Sequence, residues 1–183
     1  MESQGAKMNT TAVYDSKTIA YHWISAILIL ILWLLGDNID FFTRGDPRVY
    51  ARSTHIALGL VLAVILALRL KWKIGGATKL PQAVPGFLGK LAVSTHHIFY
   101  LLIACVIAVG IAAVWVRGDN IFNLFRVPAF DPANKQLREE VVDLHGLLVN
   151  VLLILAAGHS LLALWHHVMI KDGVLKRMWP NLK

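Results

Sequence analysis

The sequence predicts an all-α membrane protein built as a four-transmembrane-helix bundle. Of its 183 residues, 57% are hydrophobic and 16% are charged, and its mean hydropathy is +0.60, a composition that soluble domains seldom have. Four apolar runs account for the excess, and each approaches or exceeds the roughly 20 residues that cross a bilayer core. The predicted spans are 18–36, 53–70, 91–116 and 141–168.

Ordinary helix breakers separate these spans. No cleavage pattern follows the first apolar run, so we expect that run to remain as a helix. The loops are short and no linker divides them, so residues 1–183 are predicted to form one domain. The breakers are Gly45-Asp46-Pro47 in the first loop, Gly75-Gly76 with Pro81 and Pro85 in the second, and Val127-Pro128 with Asp131-Pro132 in the third.

The charges predict the orientation of the bundle. The side that carries both termini holds eleven Lys and Arg residues and three acidic residues, whereas the other side holds seven and eight. Basic residues concentrate on the cytoplasmic side of membrane proteins, so both termini are predicted to be cytoplasmic. The net charge of +7 is explained by topology and anionic lipid, and it does not indicate nucleic-acid binding.

Eight histidines in so apolar a chain are the main functional signal, since ionisable side chains at membrane depth are costly unless they are partnered. His145 and His159 are fourteen residues apart on the fourth span, which places them about 21 Å apart on one helix face. His55 lies near the periplasmic start of the second span, at the depth of His145. His22 lies on the cytoplasmic side of the first span, as His159 does. The sequence therefore predicts two pairs, His55 with His145 and His22 with His159.

Two imidazoles that project from facing helices are what axial ligation of a haem iron requires. The sequence has no Cys-x-x-Cys-His motif, so the two predicted haems are non-covalent and of the b type. Ligation by two histidines leaves no open position on the iron, which indicates electron transfer rather than ligand activation.

Cationic and small residues nearby are candidates for contact with these cofactors. Arg69 follows His55 by fourteen residues and is predicted to pair with a propionate of the cytoplasmic haem or with a quinone headgroup. Arg52 either serves the periplasmic haem or anchors the end of its span at the headgroups. Gly59 is a candidate cofactor contact. Gly110, Gly146 and Gly158 also lie within spans, and for all four glycines ordinary helix packing is the alternative.

The remaining histidines lie toward the cytoplasmic surface. His166 is seven residues beyond His159 and near the same face, so it is predicted to donate a hydrogen bond to a quinone. His167 is rotated from it by about 100°. His96 and His97 lack a partner at their depth on another helix and are predicted to be interfacial residues, with quinone contact or proton transfer as the alternative.

These features resemble the bacterial cytochrome b561 family over nearly the whole chain. The resemblance implies haem ligation by His22, His55, His145 and His159, a location in the bacterial inner membrane, and a quinone site around His166. The matching segments are 19–23 (IAYHW), 53–59 (STHIALG) with Arg69, 100–102 (YLL), 142–145 (VDLH), 158–159 (GH), 165–167 (WHH) and 171–173 (KDG).

The same resemblance implies an oxidoreductase that oxidises periplasmic superoxide and reduces ubiquinone. The periplasmic segments hold seven basic and eight acidic residues, so net charge supplies no long-range attraction for an anion, although Arg48, Arg52 and Arg117 are placed to attract one locally. One alternative is electron transfer between the quinone pool and a periplasmic partner protein. Alternatives of other classes are a divalent-metal transporter that uses the histidines as transient ligands, and a membrane anchor for another subunit.

Overall fold

The computed structural model describes residues 12–81 and 86–180, with the backbone alone at 87 and 88. Each of its four long helices contains a stretch long and apolar enough to cross a membrane, and only 6–17% of each stretch is buried within the bundle. The outward faces are therefore apolar, as lipid-facing surfaces are, and the predicted four-helix membrane architecture is confirmed. Lys7 and Lys183, which contribute to the orientation prediction, lie outside the described residues. The helices are α1 (Ser16–Asp37), α2 (Asp46–Gly75), α3 (Gly86–Arg117) and α4 (Lys135–Trp165).

The second helix begins earlier than the sequence predicts. Asp46 opens α2, seven residues before the predicted span. Gly45 precedes it with φ 97, a conformation that glycine adopts without strain. Pro47 occupies the first turn, where its missing N–H costs nothing and its fixed φ favours the helix. The Gly45-Asp46-Pro47 breaker therefore starts α2 and does not serve only to end the first span.

The third loop contains a small β-hairpin, which the sequence analysis did not predict. Strands β1 (Asn120–Ile121) and β2 (Phe125–Arg126) pair antiparallel. Ser53, which is fully buried, holds the hairpin on α2. Its hydroxyl donates to the Asn120 carbonyl at 3.2 Å and accepts from the Phe122 N–H at 2.8 Å. The hairpin is thus fixed two residues from His55.

The helices pack in chain order. Helix α1 packs on α2, α2 on α3 and α3 on α4, whereas α4 makes few backbone contacts with α1 or α2 among the described residues. The bundle is therefore open along the α4 side of α1 and α2. A buried apolar layer crosses its middle, and Leu152 lies in that layer halfway between His145 and His159. The layer consists of Leu32, Leu62, Leu66, Ile103 and Leu152.

The layer divides the bundle into a hairpin side, where the β-hairpin lies, and a terminal side, where α1 begins and α4 ends. Asp15 ties the terminal side together. Its carboxylate caps α1 by accepting from the Thr18 N–H at 2.9 Å. It also accepts from the Trp72 indole at 2.9 Å and from the Thr78 N–H at 3.0 Å. Burial alone would raise the pKa of Asp15, but these hydrogen bonds hold it well below its ordinary value.

Candidate functional site

The structure brings both predicted histidine pairs together. On the hairpin side, the ring centroids of His55 and His145 are 6.3 Å apart and the ring planes meet at 82°. On the terminal side, the centroids of His22 and His159 are 6.4 Å apart and the planes meet at 65°. Each pair joins α4 to a helix with which it makes few backbone contacts, so the rings face each other across the open side of the bundle.

These separations fit an iron between each pair. Two imidazoles that bind one metal from opposite sides hold their centroids roughly 6 Å apart, because each metal–nitrogen bond is about 2 Å long and each centroid lies about 1 Å behind its nitrogen. The residues present therefore fit the predicted cofactor, and iron ligation by the four histidines stays a prediction.

Packing fixes the hairpin-side pair. A Cβ on Gly36 of α1 would lie 3.0 Å from His55 Cε1, and a Cβ on Gly110 of α3 would lie 3.0 Å from His145 Cε1. Each ring therefore packs directly against a helix backbone, and only glycine, which has no Cβ, permits so close an approach. The Nδ1 of His145 lies 3.1 Å from the Val106 carbonyl. Donation to that carbonyl leaves the lone pair on Nε2, the form in which an imidazole binds a metal.

His55 is less completely satisfied than His145. Its Nδ1 is buried and has no hydrogen-bond partner among the described residues. The ring lies beside the Leu32 backbone of α1, and Nδ1 is the nitrogen that would donate to a carbonyl if Nε2 bound a metal.

A positively charged side chain contacts the terminal-side pair. The Arg69 guanidinium lies 3.2 Å from His22 Nδ1 and over the Tyr100 ring at 5.1 Å. A guanidinium only donates hydrogen bonds, so in this arrangement Nδ1 accepts and the proton of neutral His22 is on Nε2. Binding of a metal through Nε2 then requires Arg69 to release His22. A haem propionate, the partner predicted for Arg69, would draw it away.

The structure places His96 beside His159, which the sequence analysis did not expect. Its ring centroid is 5.8 Å from that of His159, so the expectation that it lacks a partner on another helix is wrong. Its Nδ1 lies 2.7 Å from the carbonyl of Ala92 on its own helix. His97 also contacts its own helix, through the Val93 carbonyl at 2.9 Å, and its side chain is exposed. His96 therefore belongs to the terminal-side cluster, which we define as His22, His96, His159 and Arg69.

Arginines converge at the hairpin side. Asp119, which is 5% exposed, accepts two hydrogen bonds from the Arg117 guanidinium, at 3.0 and 2.7 Å, and lies 3.6 Å from Arg52. Arg48 does not line the cavity beside them, because its guanidinium binds Asp40 and the Phe42 carbonyl. This arginine cavity has a volume of about 390 Å³, and its charged lining residues are Arg52, Arg117, Asp119, Arg126 and Arg138.

Two other predicted site residues, Gly59 and His166, make no contact with the pairs that the structure shows. A Cβ on Gly59 would meet nothing within 4 Å, which leaves room beside α2 and makes its cofactor contact a prediction still. His166 lies beyond the end of α4, with its Nδ1 2.5 Å from Asp172 Oδ2.

The sequence analysis missed Gly36, Asp119 and Asp172 as site residues. Gly36 contacts His55 and Asp119 approaches Arg52, both on another helix, whereas Asp172 reaches His166 through a turn that the sequence does not predict. Asp172 lies in the Lys171-Asp172-Gly173 segment that matches the family, and this match could have indicated it as a site residue.

The chain is similar to known proteins over most of its length. The family model described as prokaryotic cytochrome b561 matches residues 13–181, and members of that family bind haem b. The probable superoxide oxidase CybB of Yersinia pestis is 29% identical over 172 residues, which cover 92% of this chain and 96% of the relative. Cytochrome b561 homolog 1 of Escherichia coli is 28% identical over 92% of this chain and 98% of its own length. Cytochrome b562 of Cereibacter sphaeroides is 25% identical over 90% and 94%.

Proposed function

The chain belongs to the prokaryotic cytochrome b561 family, and on that premise we propose that it is a di-haem b cytochrome that passes electrons from periplasmic superoxide to membrane ubiquinone. The observation that carries this proposal is the pair of facing imidazoles on each side of the apolar layer, with centroid separations of 6.3 and 6.4 Å. Haem b supplies one-electron redox chemistry when it is bound by such a pair. Both termini face the cytoplasm in this proposal, so the hairpin side is periplasmic.

Different residues of the chain act on the two sides of the apolar layer. His55 and His145 would hold one haem and His22 and His159 the other, and each haem would supply one-electron redox chemistry. The apolar layer around Leu152 excludes water between the two levels, and a dry, low-dielectric layer keeps protons from crossing with the electrons. Arg69 and Arg52 supply positive charge near the terminal-side and hairpin-side irons respectively.

The arginine cavity supports an anionic electron donor. Four arginines and one carboxylate line it, so its local charge is positive even though the hairpin-side segments together are not. Clefts lined by one sign of charge raise the local concentration of a small ion of opposite sign and its rate of association. Arg52 is also three residues, close to one helical turn, from His55. A superoxide ion held there lies near the hairpin-side pair.

The proposed reaction balances with one quinone for two superoxide ions. Each superoxide gives up one electron and leaves as dioxygen. One ubiquinone takes up the two electrons together with two protons from the cytoplasmic side and leaves as ubiquinol. Two relatives bear on the donor: one is named a probable superoxide oxidase, and another is named only as a cytochrome b561 homolog.

Stopped-flow reduction of the oxidised, haem-loaded protein by superoxide tests this function. We expect rapid haem reduction followed by reoxidation on addition of a short-chain ubiquinone. Arg138→Gln, which removes one charge from the cavity lining, should slow the bimolecular reduction roughly threefold at low salt and weaken its salt dependence. Arg44→Gln is the matched control, because Arg44 is exposed on the same side and does not line the cavity.

Failure of superoxide to reduce the protein would exclude the superoxide donor. Reduction by a reduced periplasmic protein in its place would support the alternative of electron exchange between such a protein and the quinone pool. The metal-transporter alternative gains no support, because the family is one of cytochromes and the described residues contain no group of three or more His, Cys, Asp or Glu side chains arranged to hold a metal.

A further inference from the structure

The chain turns back toward α1 after the end of α4. Residues His166–Ile170 form a π-helical turn, and Lys171 follows with φ 58 in the left-handed region. A short 3-10 helix, Leu175–Arg177, comes next. We call residues 174–179 the clasp, because they bind parts of the chain that lie far from α4 in sequence.

The clasp makes hydrogen bonds to three other segments. The Arg177 guanidinium donates to the Pro81 carbonyl of the α2–α3 loop at 2.7 Å, and the Arg177 carbonyl accepts from the Tyr14 N–H ahead of α1 at 3.1 Å. The Met178 carbonyl accepts from the Trp23 indole of α1 at 3.0 Å. These bonds join the segment after α4 to α1, with which α4 itself makes few backbone contacts among the described residues.

Trp23 is the residue of α1 that the clasp contacts most closely. In addition to its hydrogen bond, its ring meets the ring of Trp179 edge to face, with centroids 5.2 Å apart and planes at 73°, a favourable arrangement for two aromatic rings. The centroid of the neighbouring His22 ring is 5.4 Å from that of Trp23. The clasp thus holds the residue next to a predicted haem ligand.

The position of Trp23 on α1 determines the direction of His22. Successive residues of a helix project about 100° apart and differ by about 1.5 Å in depth, so a fixed Trp23 fixes the rotation of α1 and directs His22 toward His159. An imidazole about 5 Å from the helix axis moves about 1 Å when the helix turns by about 10°, whereas metal–ligand distances vary by only about 0.2 Å. A small rotation of α1 would therefore disturb a metal bond.

We propose that Trp23, held by the clasp, is a positioning residue for His22 as a ligand of the terminal-side haem. This inference rests on the proposed function, in which His22 and His159 bind that haem. No glycine of the described spans packs against either ring in the way that Gly36 and Gly110 pack against the hairpin-side rings. Loss of the clasp contacts should therefore affect the terminal-side haem and leave the other unchanged.

Two substitutions weaken the clasp without removing a predicted ligand. Trp23→Phe keeps an aromatic ring and removes the N–H that binds Met178. Trp179→Ala removes the partner ring at a side chain that is 48% exposed, where truncation leaves the fold intact, and Trp179→Phe should preserve most of the contact. Trp72→Phe is the matched control, because it also removes an indole hydrogen bond on the terminal side, to Asp15 at 2.9 Å, but outside the clasp.

The first measurement is the transfer of haem from the loaded, full-length protein to an excess of apomyoglobin. The two release phases are assigned with His145→Ala, which is predicted to keep the terminal-side haem alone. We expect Trp23→Phe and Trp179→Ala to release this haem about three- to tenfold faster, the range that one lost hydrogen bond accounts for. Release of the hairpin-side haem, and both phases in Trp72→Phe, should change by less than about twofold.

A second readout reports the orientation of the ligand. The electron paramagnetic resonance signal of an oxidised haem with two imidazole ligands depends on the angle between their planes. A turned His22 should therefore shift the signal of the terminal-side haem in Trp23→Phe and not in Trp72→Phe.

Wild-type release rates and signals in both Trp23→Phe and Trp179→Ala would overturn the inference and leave the proposed function intact. Equally fast release in Trp72→Phe would also overturn it, because general loosening of the terminal side would then explain the effect. If the wild-type protein binds no haem, the proposed function fails and this inference fails with it.

Discussion

The hairpin-side pair and the terminal-side cluster hold their histidines at nearly the same spacing by different means. Glycine backbones and a carbonyl constrain His55 and His145. Arg69 contacts His22 and the ring of His96 lies beside that of His159. The first site is defined by shape, because a closely packed wall leaves each ring one position. The second includes a charged partner, because the Arg69 guanidinium contacts His22.

This difference matches what each side has to do in the proposed function. A donor that gives up a single electron requires no proton on the hairpin side, so a rigid and apolar pocket beside the arginine cavity suffices. Quinone reduction requires protons as well as electrons. The terminal side accordingly holds His96, Arg69, His166 and Asp172, which are groups able to move or balance charge. Substitutions should therefore affect the two sides differently.

Removal of one histidine from each pair has the largest expected effect. His145→Ala should abolish binding of the hairpin-side haem and His159→Ala that of the terminal-side haem, each lowering haem content from two to one per chain. His97→Ala serves as the control, because His97 is exposed, and it should keep both. Haem extraction with quantitation in purified protein provides the measurement. Retention of both haems in His145→Ala and in His159→Ala would show that the ligand assignment is wrong.

Gly110→Ala tests whether shape defines the hairpin side. The added methyl would lie 3.0 Å from His145 Cε1 and should push the ring from its position, at a cost of about 1–3 kcal/mol for overpacking. We expect weaker retention of the hairpin-side haem and no change at the terminal-side haem. Gly75→Ala is the matched control, since a Cβ there meets nothing within 4 Å. Haem release on dilution, followed by absorbance, distinguishes the variants, and equal release would contradict the prediction.

The sequence was sufficient for features that repeat along one helix. Long apolar runs predicted four spans, and the fourteen-residue spacing of His145 and His159 predicted two levels. Contacts between helices could not be predicted from the sequence, because they depend on which helices are neighbours. Gly36 and Gly110 look like ordinary small residues until α1 and α3 are seen against His55 and His145. The approach of His96 to His159 likewise depends on the packing of α3 on α4.

Loop structure was also poorly predicted from the sequence, for a related reason. The hairpin at Asn120–Ile121 and Phe125–Arg126 is too short to show an alternating pattern. It is held by Ser53 from a different helix. Asp119 appears in the sequence as a loop acid, whereas the fold buries it between Arg117 and Arg52. Ser53 and Arg52 are both remote in the chain from the groups that they contact.

Arg69→Gln tests whether charge defines the terminal side. Loss of a nearby positive charge disfavours the reduced iron, so the midpoint potential of the terminal-side haem should fall by on the order of 60 mV, equivalent to a tenfold change in a one-electron equilibrium. The potential of the hairpin-side haem should stay as it is. Redox titration resolves the two steps, with Lys71→Gln as a control on an exposed side chain of the same helix. A shift in the midpoint potential of the hairpin-side haem alone would contradict the prediction that Arg69 acts on the terminal-side haem.

The smallest expected effect concerns the helix caps. Asn134 caps α4 by accepting from the Leu137 N–H at 2.9 Å. Asp15→Ala and Asn134→Ala each remove a cap, which costs about 1 kcal/mol, but Asp15 also binds Trp72 and Thr78, so its loss should lower Tm more. Because folding depresses the pKa of Asp15, the contribution of its charge is complete above the ordinary value of 3.8 and is lost as pH falls below it. Thermal unfolding at pH 7 compares the two losses of Tm, and unfolding at pH 3 shows whether the contribution of the Asp15 charge decreases. A larger loss of Tm in Asn134→Ala than in Asp15→Ala at pH 7 would contradict the prediction.

A reduced-minus-oxidised spectrum with haem quantitation tests the central claim most directly. Wild-type protein, expressed with ample haem, is predicted to bind two b-type haems per chain, each six-coordinate and unable to bind carbon monoxide when reduced. A colourless protein, a single haem per chain, or an iron that binds carbon monoxide would contradict the assignment of His22, His55, His145 and His159 as two pairs of axial ligands.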